Sequence, residues 1–452
     1  MSFVSDKLSK WAPPARSSPR SGPTATPPLS PLLPAPAGAP TSGRLLFLDG
    51  LRALASLYVV LHHCCQIYQD TSTAPRYEYY SFIPWLLRGR AVAVFMVLSG
   101  FLLMMPVARS STGQLPDGFY SYLRRRIRRI IPPYYIALAL TLLCIGFVPG
   151  MNRGSGDFWG RAFPAFSIGG LSSHLLLLHG LSPGWAYKIN PPLWTLATEW
   201  YLYLIFPTLL LPVWRKCGTT AMVLFAIAIG FAPRLLLHDS AWNLNWVAPW
   251  FIGLFAIGMA GAILQTAPET NRAATAFKTS LVGPLGTCAL AVGFIFLWSS
   301  RMAMDYLFGL STLWVILFCA QVTPTRARPI QPFLVRLLQS SFLRGIGAFS
   351  YSIYLTHGPV LMMIYRAVEH FHRSAATRAL IMFVVAPPVA VMAAWLFYQA
   401  VERPLLPARA PNRASLAIVA SPTEAQPARR VRPLRRRSGP RSSPITKQQS
   451  AV

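Results

Sequence analysis

Residues 45–68 read LLFLDGLRALASLYVVLHHCCQIY, a stretch long enough to span a membrane that also contains ionisable side chains. Asp49, Arg52 and His63 follow one another at spacings of three and eleven residues, so at 3.6 residues per turn they share one helix face. Arg52 and His63 are then about 16 Å apart along the helix axis. Because ionisable groups inside a bilayer are costly, they usually face the interior of a helical bundle and mark a functional site.

Composition places the chain among helical membrane proteins. Of its 452 residues 53% are hydrophobic and 12% are charged, whereas soluble domains carry about 25% charged residues. The formal net charge of +29 raises the question of nucleic-acid binding. The basic residues lie mostly in tails and in loops between apolar runs, a pattern that is typical of membrane orientation. We therefore expect membrane lipid as a partner and no nucleic acid.

Apolar runs of about 20 residues predict ten membrane-spanning helices. These runs lie near residues 46–68, 90–107, 130–148, 193–214, 221–237, 244–265, 280–299, 305–322, 343–368 and 379–401. The weakly apolar segment 161–181 is either an interfacial helix or an eleventh span. The expected fold class is all-α, a polytopic transmembrane helical bundle over residues 44–405. Disordered basic tails are expected at residues 1–43 and 406–452.

Positive charges predict the orientation of this bundle. With the N-terminus in the cytoplasm, the ten-span arrangement puts more Lys and Arg in the inner loops than in the outer ones. The Arg-rich segment 124–129 is the strongest indication. We therefore expect a multi-pass protein of the plasma (inner) membrane with both termini in the cytoplasm.

The six cysteines form no CxxC pair and lie mostly in apolar runs, so we expect small buried hydrophobes. The run from His62 to Cys65 contains four potential metal ligands, but successive helix residues point about 100° apart. Four such side chains cannot converge on one ion. We expect no metal and no bound cofactor, and we interpret His63 as a functional histidine with three packing neighbours.

The segment SYLRRRIRRIIPPYY contains arginines three residues apart, Arg126 with Arg129 and Arg125 with Arg128. One interpretation is an anchor that fixes orientation by the positive-inside rule. The other is a phosphate clamp at the cytoplasmic mouth of the bundle, because guanidinium groups bind phosphate bidentately.

The run NPPLWTLATEWYLYLIFP contains one acid, Glu199, with Thr195 and Tyr203 on the same helix face. A lone carboxylate inside a membrane needs a partner, and Arg52 and His63 are the candidates. A structural ion pair between helices is an alternative to a catalytic role, and the two are compatible.

Another polar face occurs in GAFSYSIYLTHGPVL, where Ser350, Tyr354 and His357 align at helical spacing. A hydrogen-bond network between packed helices is the favoured interpretation. Tyr398 and Glu402 end the last predicted span and are expected to cap it on the cytoplasmic side.

Six motifs in sequence order, over roughly residues 44–405, resemble the membrane acyltransferase-3 family. They are LDGLRALA with His63 downstream, VFMVLSGFLL around Ser99, the paired arginines before Pro132, LWTLATEWYLYLIFP, FSYSIYLTHGPV and YQAVERP. The chain has Thr195 where the family often has serine, and Trp200 where it often has a second acid.

This resemblance implies an integral membrane O-acyltransferase. The donor implied is acyl-CoA, the group transferred is expected to be acetyl, and the acceptor is a hydroxyl of a sugar, glycan, lipid or macrolide. The family's arginine and histidine fall on Arg52 and His63, and its paired arginines fall on Arg126 and Arg129.

Chemistry then gives each candidate a role. His63 is expected to activate the acceptor hydroxyl, and Arg52 to stabilise the tetrahedral intermediate. Glu199 is the third catalytic candidate, and the CoA phosphates are expected at the arginine pair. Further site candidates are Asp49, Ser99, Tyr203, Tyr354 and His357. The alternative functions are a membrane transporter or lipid flippase and a scaffold whose basic tails bind anionic lipid.

Overall fold

The computed structural model of the protein describes residues 45–71, 90–152, 158–162, 167–237, 244–267, 301–321, 332–371 and 374–406. Every regular element within these ranges is helical. The prediction of an all-α fold is therefore confirmed for the described part of the chain.

In chain order the α-helices are α1 (Phe47–Thr71), α2 (Ala91–Ala108), α3 (Gly118–Phe147), α4 (Phe158–Ala162), α5 (Ile168–Leu175), α6 (Leu193–Ile205), α7 (Leu211–Leu236), α8 (Phe251–Thr266), α9 (Arg301–Gln321), α10 (Phe333–Leu338), α11 (Ser341–Ala348), α12 (Ser350–His370), α13 (Ala375–Leu380), α14 (Ala386–Phe397) and α15 (Arg403–Leu405). Short 3₁₀ helices occupy His179–Leu181 and Asn245–Val247. Single π-helical turns occupy Phe206–Leu210, Ile381–Val385 and Tyr398–Glu402. The π turns connect α6 to α7 and join α13, α14 and α15 end to end.

Six helical segments are long and apolar enough to cross a membrane by length and composition. They are Ala91–Ala108, Gly118–Phe147, Leu193–Leu236, Asn245–Thr266, Arg301–Gln321 and Ala376–Leu405. These segments support a helical membrane protein, whereas the predicted count of ten spans is not confirmed.

Three features explain why the structure has six apolar segments where the sequence predicted ten spans. The predicted spans 193–214 and 221–237 fall within one 44-residue segment, which Gly218 interrupts with a φ of 85°. Helices α1 and α12 have 25 and 21 residues but contain no 18-residue stretch that is apolar enough to be counted with the six segments. The predicted span 280–299 lies outside the described residues.

The segment 161–181, left open between an interfacial helix and an eleventh span, contains only short helices where the structure describes it. Helix α5 has eight residues and is thus about 12 Å long, while the hydrocarbon core of a bilayer is about 30 Å thick. The described residues of this segment therefore form no eleventh span.

Glycines let two of the site-bearing helices approach closely. A Cβ atom on Gly100 of α2 would collide with the carbonyl oxygen of Phe255 in α8, and one on Gly258 of α8 with that of Val97. Small residues have this role at helix contacts in membranes. In the motif VLSGFLL, Gly100 therefore permits packing, whereas its neighbour Ser99 serves the site.

The cysteines agree only in part with the expectation of buried hydrophobes. Free cysteines are buried at Cys64, Cys65 and Cys319. Cys217 is exposed beside the helix interruption at Gly218, so the expectation is wrong there, and Cys144 is only partly buried. Cys288 lies outside the described residues.

Candidate active site

Two adjoining cavities among the helices contain most of the predicted site residues. The larger one, about 350 Å³, has His63 in its wall and is called the His63 chamber. The smaller one, about 90 Å³, contains Arg52 and Glu199 and is called the Glu199 chamber. The two residues that share one face of α1, Arg52 and His63, thus line different chambers.

Three residues line both chambers and form their junction, Val92, Thr195 and Tyr354. The Tyr354 hydroxyl donates a hydrogen bond to the carbonyl oxygen of Pro192 and contacts the hydroxyl of Thr195. Helices α2, α6 and α12 therefore meet here. A small group held at the junction is within reach of both chambers.

Two aromatic side chains and one amide fix the ring of His63. Its centroid lies 5.2 Å from that of Trp159 and 5.2 Å from that of His357, which stacks on it at 24°. The Nδ1 atom of His63 lies 3.1 Å from Oε1 of Gln66. The indole Nε1 of Trp159 lies 3.2 Å from the same oxygen.

These contacts determine which nitrogen of neutral His63 carries its hydrogen. An indole N–H can only donate, so the Gln66 atom that it contacts is the carbonyl oxygen. That oxygen also accepts from Nδ1 of His63, which places the ring hydrogen on Nδ1. Nε2 therefore keeps its lone pair and can accept a proton.

The run from His62 to Cys65 packs around His63 as expected, and one of its members also reaches the cavity. Cys64 and Cys65 are buried as predicted. His62 has its ring 4.9 Å from that of His63 and, in addition to this packing contact, lines the His63 chamber. The His63 chamber is therefore lined by more than one residue of α1. The described residues contain no group of three or more His, Cys, Asp or Glu that could hold a metal ion.

Glu199 accepts hydrogen bonds from hydroxyl groups and forms no salt bridge within the part of the chain that the structure describes. The Ser99 hydroxyl donates to its Oε1 at 2.9 Å, and the Tyr203 hydroxyl donates to the same oxygen. Of the two partners expected from the sequence, Arg52 lines the same chamber, whereas His63 lies in the other one. Sequence spacing aligned Glu199 with Tyr203, but Ser99 comes from a separate helix.

The structure separates the arginines of α3 by direction. Arg126 and Arg129 both line the Glu199 chamber, and the guanidinium of Arg126 lies 5.7 Å from the ring centre of Tyr203. Arg125 points away and forms an exposed ion pair with Asp117 at 3.0 Å. Of the two arginine pairs at spacing three, Arg126 and Arg129 therefore face the chamber together.

Two other candidates line neither chamber. Asp49 is half-buried in the first turn of α1, where a carboxylate stabilises the helix N-terminus, and it lines neither chamber. His357 is buried, and its Nδ1 lies 2.8 Å from the carbonyl oxygen of Ile353. Because His357 also stacks on His63, the expected packing network extends to the site.

Sequence reasoning missed a buried ion pair and misplaced one acid. Arg90 and Asp305 pair at 3.3 Å, although each was placed at the end of a predicted span. Glu402 was expected to cap the last span, which is wrong, because it is buried and accepts a hydrogen bond from Ser352 at 2.5 Å. The π turn Tyr398–Glu402 ends against α12, so this carboxylate lies between helices.

Outside the six apolar segments, His174 and His179 stack with ring centroids 4.0 Å apart. Both rings are buried. Burial lowers the pKa of His174, and burial together with the neighbouring His174 lowers the pKa of His179 to about 3. Both rings are therefore neutral at neutral pH, which permits their close stacking.

Comparison with known proteins identifies the family. A family model described as an acyltransferase domain matches residues 45–399, which is most of the chain. The chain belongs to the membrane acyltransferase-3 family. It is therefore an acyltransferase, an enzyme that transfers groups other than aminoacyl groups, and the apolar helices described above agree with a membrane location.

Two characterised relatives resemble the chain at low identity. Peptidoglycan O-acetyltransferase OatA of Listeria monocytogenes is 24% identical over 343 residues, covering 71% of this chain and 50% of OatA. Acyltransferase MdmB of Streptomyces mycarofaciens is 24% identical over 392 residues, covering 80% of this chain and 92% of MdmB. The chain thus spans about half the length of OatA and nearly the whole of MdmB. No solved structure gives a significant match.

Proposed function

We propose that this acyltransferase moves an acyl group, expected to be acetyl, from acyl-CoA to a hydroxyl of a glycan. The observation that carries the proposal is the junction of the two chambers at Tyr354, with a histidine base on one side and an arginine pair on the other. The donor enters the Glu199 chamber and the acceptor enters the His63 chamber. A lipid or small-molecule hydroxyl is the alternative acceptor.

The Glu199 chamber suits the thioester end of a short acyl-CoA. Its volume of about 90 Å³ is equivalent to roughly three water molecules. It therefore holds an acetyl group but not the nucleotide of CoA. Arg126 and Arg129 line it, and Arg129 is exposed, which favours phosphate binding at its mouth.

Acyl transfer at the junction requires two successive proton transfers, one to His63 and one from it. Nε2 of His63 takes the proton of the acceptor hydroxyl as the oxygen attacks the thioester carbonyl carbon. The tetrahedral intermediate is stabilised by Arg52, a role in which a fixed positive charge is effective. The carbon–sulfur bond then breaks, and CoA leaves as the thiol after receiving the proton from His63. The products are the ester and CoA.

The acceptor class is supported by the name of one relative. OatA is named a peptidoglycan O-acetyltransferase, and peptidoglycan is a hydroxylated glycan. We further propose that the protein resides in the plasma membrane with both termini in the cytoplasm. Arg126 and Arg129 are then at the cytoplasmic face, where acyl-CoA is available.

The test is acyl transfer by the purified protein with labelled acetyl-CoA. His63→Ala is expected to lower kcat by about 10²- to 10⁴-fold, the usual contribution of a general base, and to leave donor binding unchanged. His370→Ala is the matched control, because His370 is exposed at the end of α12 and lines neither chamber. Near-native kcat in the His63 variant would exclude it as the base.

A further inference from the structure

One wall of the His63 chamber carries charged groups that the transfer step does not use. Arg90, just before α2, pairs with Asp305 of α9 at 3.3 Å, and both are buried. The other carboxylate oxygen of Asp305 accepts a hydrogen bond from Nε1 of Trp250 at 2.9 Å. Both oxygens of Asp305 are therefore engaged, and its charge is balanced by Arg90.

Arg301, the first residue of α9, brings a second guanidinium to this wall. Its guanidinium carbon lies 5.5 Å from the ring centre of Trp194 and 5.6 Å from that of Trp250. Arg301 is exposed and forms no ion pair with any carboxylate of the described residues. Nη1 of Arg90 donates to its carbonyl oxygen at 3.4 Å, so the buried pair positions the start of α9.

The charges of the wall do not cancel. Among the described residues that line it, Arg90 and Arg301 contribute two positive charges and Asp305 one negative charge, which leaves one excess positive charge. Asp305 forms its ion pair with Arg90, so Arg301 is the guanidinium of this described lining that has no ion pair. A cationic acceptor would be repelled here, and a purely apolar one would leave the guanidinium without an ionic partner.

Aromatic side chains also line this chamber. Trp194 stacks on Phe251 with centroids 6.2 Å apart at 23°, and Tyr187 meets Trp194 edge-on at 6.1 Å. All three line the chamber. Flat aromatic faces bury the C–H face of a sugar ring. The chamber volume of about 350 Å³ lies within the range of about 300–1,000 Å³ that small-molecule sites occupy.

We propose that the His63 chamber is an acceptor subsite for a sugar with an anionic substituent, which Arg301 binds while the ring packs on Trp194. A carboxylate or a phosphate satisfies this chemistry, because guanidinium groups bind both bidentately. The inference rests on the proposed function, since the bound sugar presents the hydroxyl that His63 deprotonates. It adds a charge requirement that the transfer reaction by itself does not impose.

The test measures binding without acyl-CoA, so it does not depend on turnover. Isothermal titration of the purified full-length protein uses three probes with one ring: methyl glucoside, methyl glucuronide and methyl glucoside 6-phosphate. At least one acidic probe is expected to bind about tenfold more tightly than the neutral one. Arg301→Gln is expected to remove that preference and leave the affinity for methyl glucoside unchanged, whereas Arg301→Lys retains part of it.

Controls and outcomes separate this inference from the proposed function. Arg234→Gln is the matched control, because Arg234 is exposed on α7 and lines neither chamber. The two acidic probes show whether the anion is a carboxylate, a phosphate or either. Equal binding of all three probes, or an Arg301→Gln variant that keeps the preference, overturns the subsite. If the protein keeps its preference for the acidic probes but transfers no acetyl group, only the proposed function is overturned.

Discussion

Replacing Gln66 with leucine is expected to slow acyl transfer while leaving the base in place. Gln66 Oε1 accepts from Nδ1 of His63 at 3.1 Å and from Nε1 of Trp159 at 3.2 Å. Leucine has a similar size but accepts no hydrogen bond. His63 then loses the contact that places its hydrogen on Nδ1, and a fraction of the molecules presents Nε2–H to the acceptor instead of a lone pair.

The size of the effect follows from the energy of one hydrogen bond. A net contribution of about 1 kcal/mol changes the ratio of the two ring tautomers by about fivefold. We therefore expect kcat to fall by up to about fivefold in Gln66→Leu, far less than the loss of about 10²-fold or more for His63→Ala. The KM for acyl-CoA is expected to stay constant, because Gln66 lines the His63 chamber only.

Initial rates at varied acyl-CoA separate these effects. Gln66→Glu keeps an oxygen that accepts from both donors, so it is expected to retain most of the native kcat. Thr141→Val is the control for loss of a buried hydrogen bond away from the chambers, since the Thr141 hydroxyl donates to the carbonyl oxygen of Ala137 within α3. A native kcat in Gln66→Leu would refute the tautomer argument. Equal losses in the leucine and glutamate variants would show that hydrogen-bond acceptance is not what the site requires.

Replacing Arg126 and Arg129 with glutamine is expected to raise the KM for acyl-CoA about tenfold in steady-state assays. Full activity of the double lysine variant, which lacks bidentate geometry, would count against a phosphate clamp. Gly258→Val is expected to lower the free energy of unfolding by about 1–3 kcal/mol, because the new side chain meets the carbonyl of Val97; an unchanged Tm would contradict the close approach. The pKa of His179, lowered to about 3, predicts that stability is full above pH 6.5 and is lost as pH falls toward 3, since the unfolded chain binds the proton first. The loss is about 2 kcal/mol at pH 5, and thermal unfolding of His179→Gln is expected to lack this part of the slope.

Periodicity along single helices was enough to place several site residues. Spacing on α1 put Arg52 and His63 on one face, and both line chambers. Spacing on α3 left two arginine pairs open, and the family resemblance selected Arg126 and Arg129, which line one chamber together. The prediction for α1 depended only on the repeat of the helix, which the sequence carries directly.

Contacts between distant parts of the chain were not predictable in this way. Trp159 reaches Gln66 across 93 residues, and Arg90 reaches Asp305 across 215. Gln66, Arg90 and Asp305 each look like an ordinary polar residue at the end of an apolar run, and Trp159 lies between two predicted spans. Their roles appear only when helix packing brings them together, because no local pattern encodes which helices become neighbours.

The surroundings of Glu199 were only partly predictable. The sequence predicted that this carboxylate has a partner inside the bundle, and in the structure it accepts two hydrogen bonds. The partner was expected to be a charge, but two hydroxyls provide the hydrogen bonds, from Tyr203 on the same helix and Ser99 on another. Only the partner at helical spacing could be anticipated from the sequence.

The side from which the donor enters tests the central claim most directly. The protein is placed in proteoliposomes, and the exposed side of each preparation is established by labelling Ser443→Cys with an impermeant reagent after the native cysteines are replaced. Labelled acetyl-CoA supplied only on the side of Ser443 is expected to yield acylated glycan. The reason is that the mouth of the Glu199 chamber, at Arg126 and Arg129, is proposed to face that side. Product formed only when acetyl-CoA is on the opposite side would contradict the account.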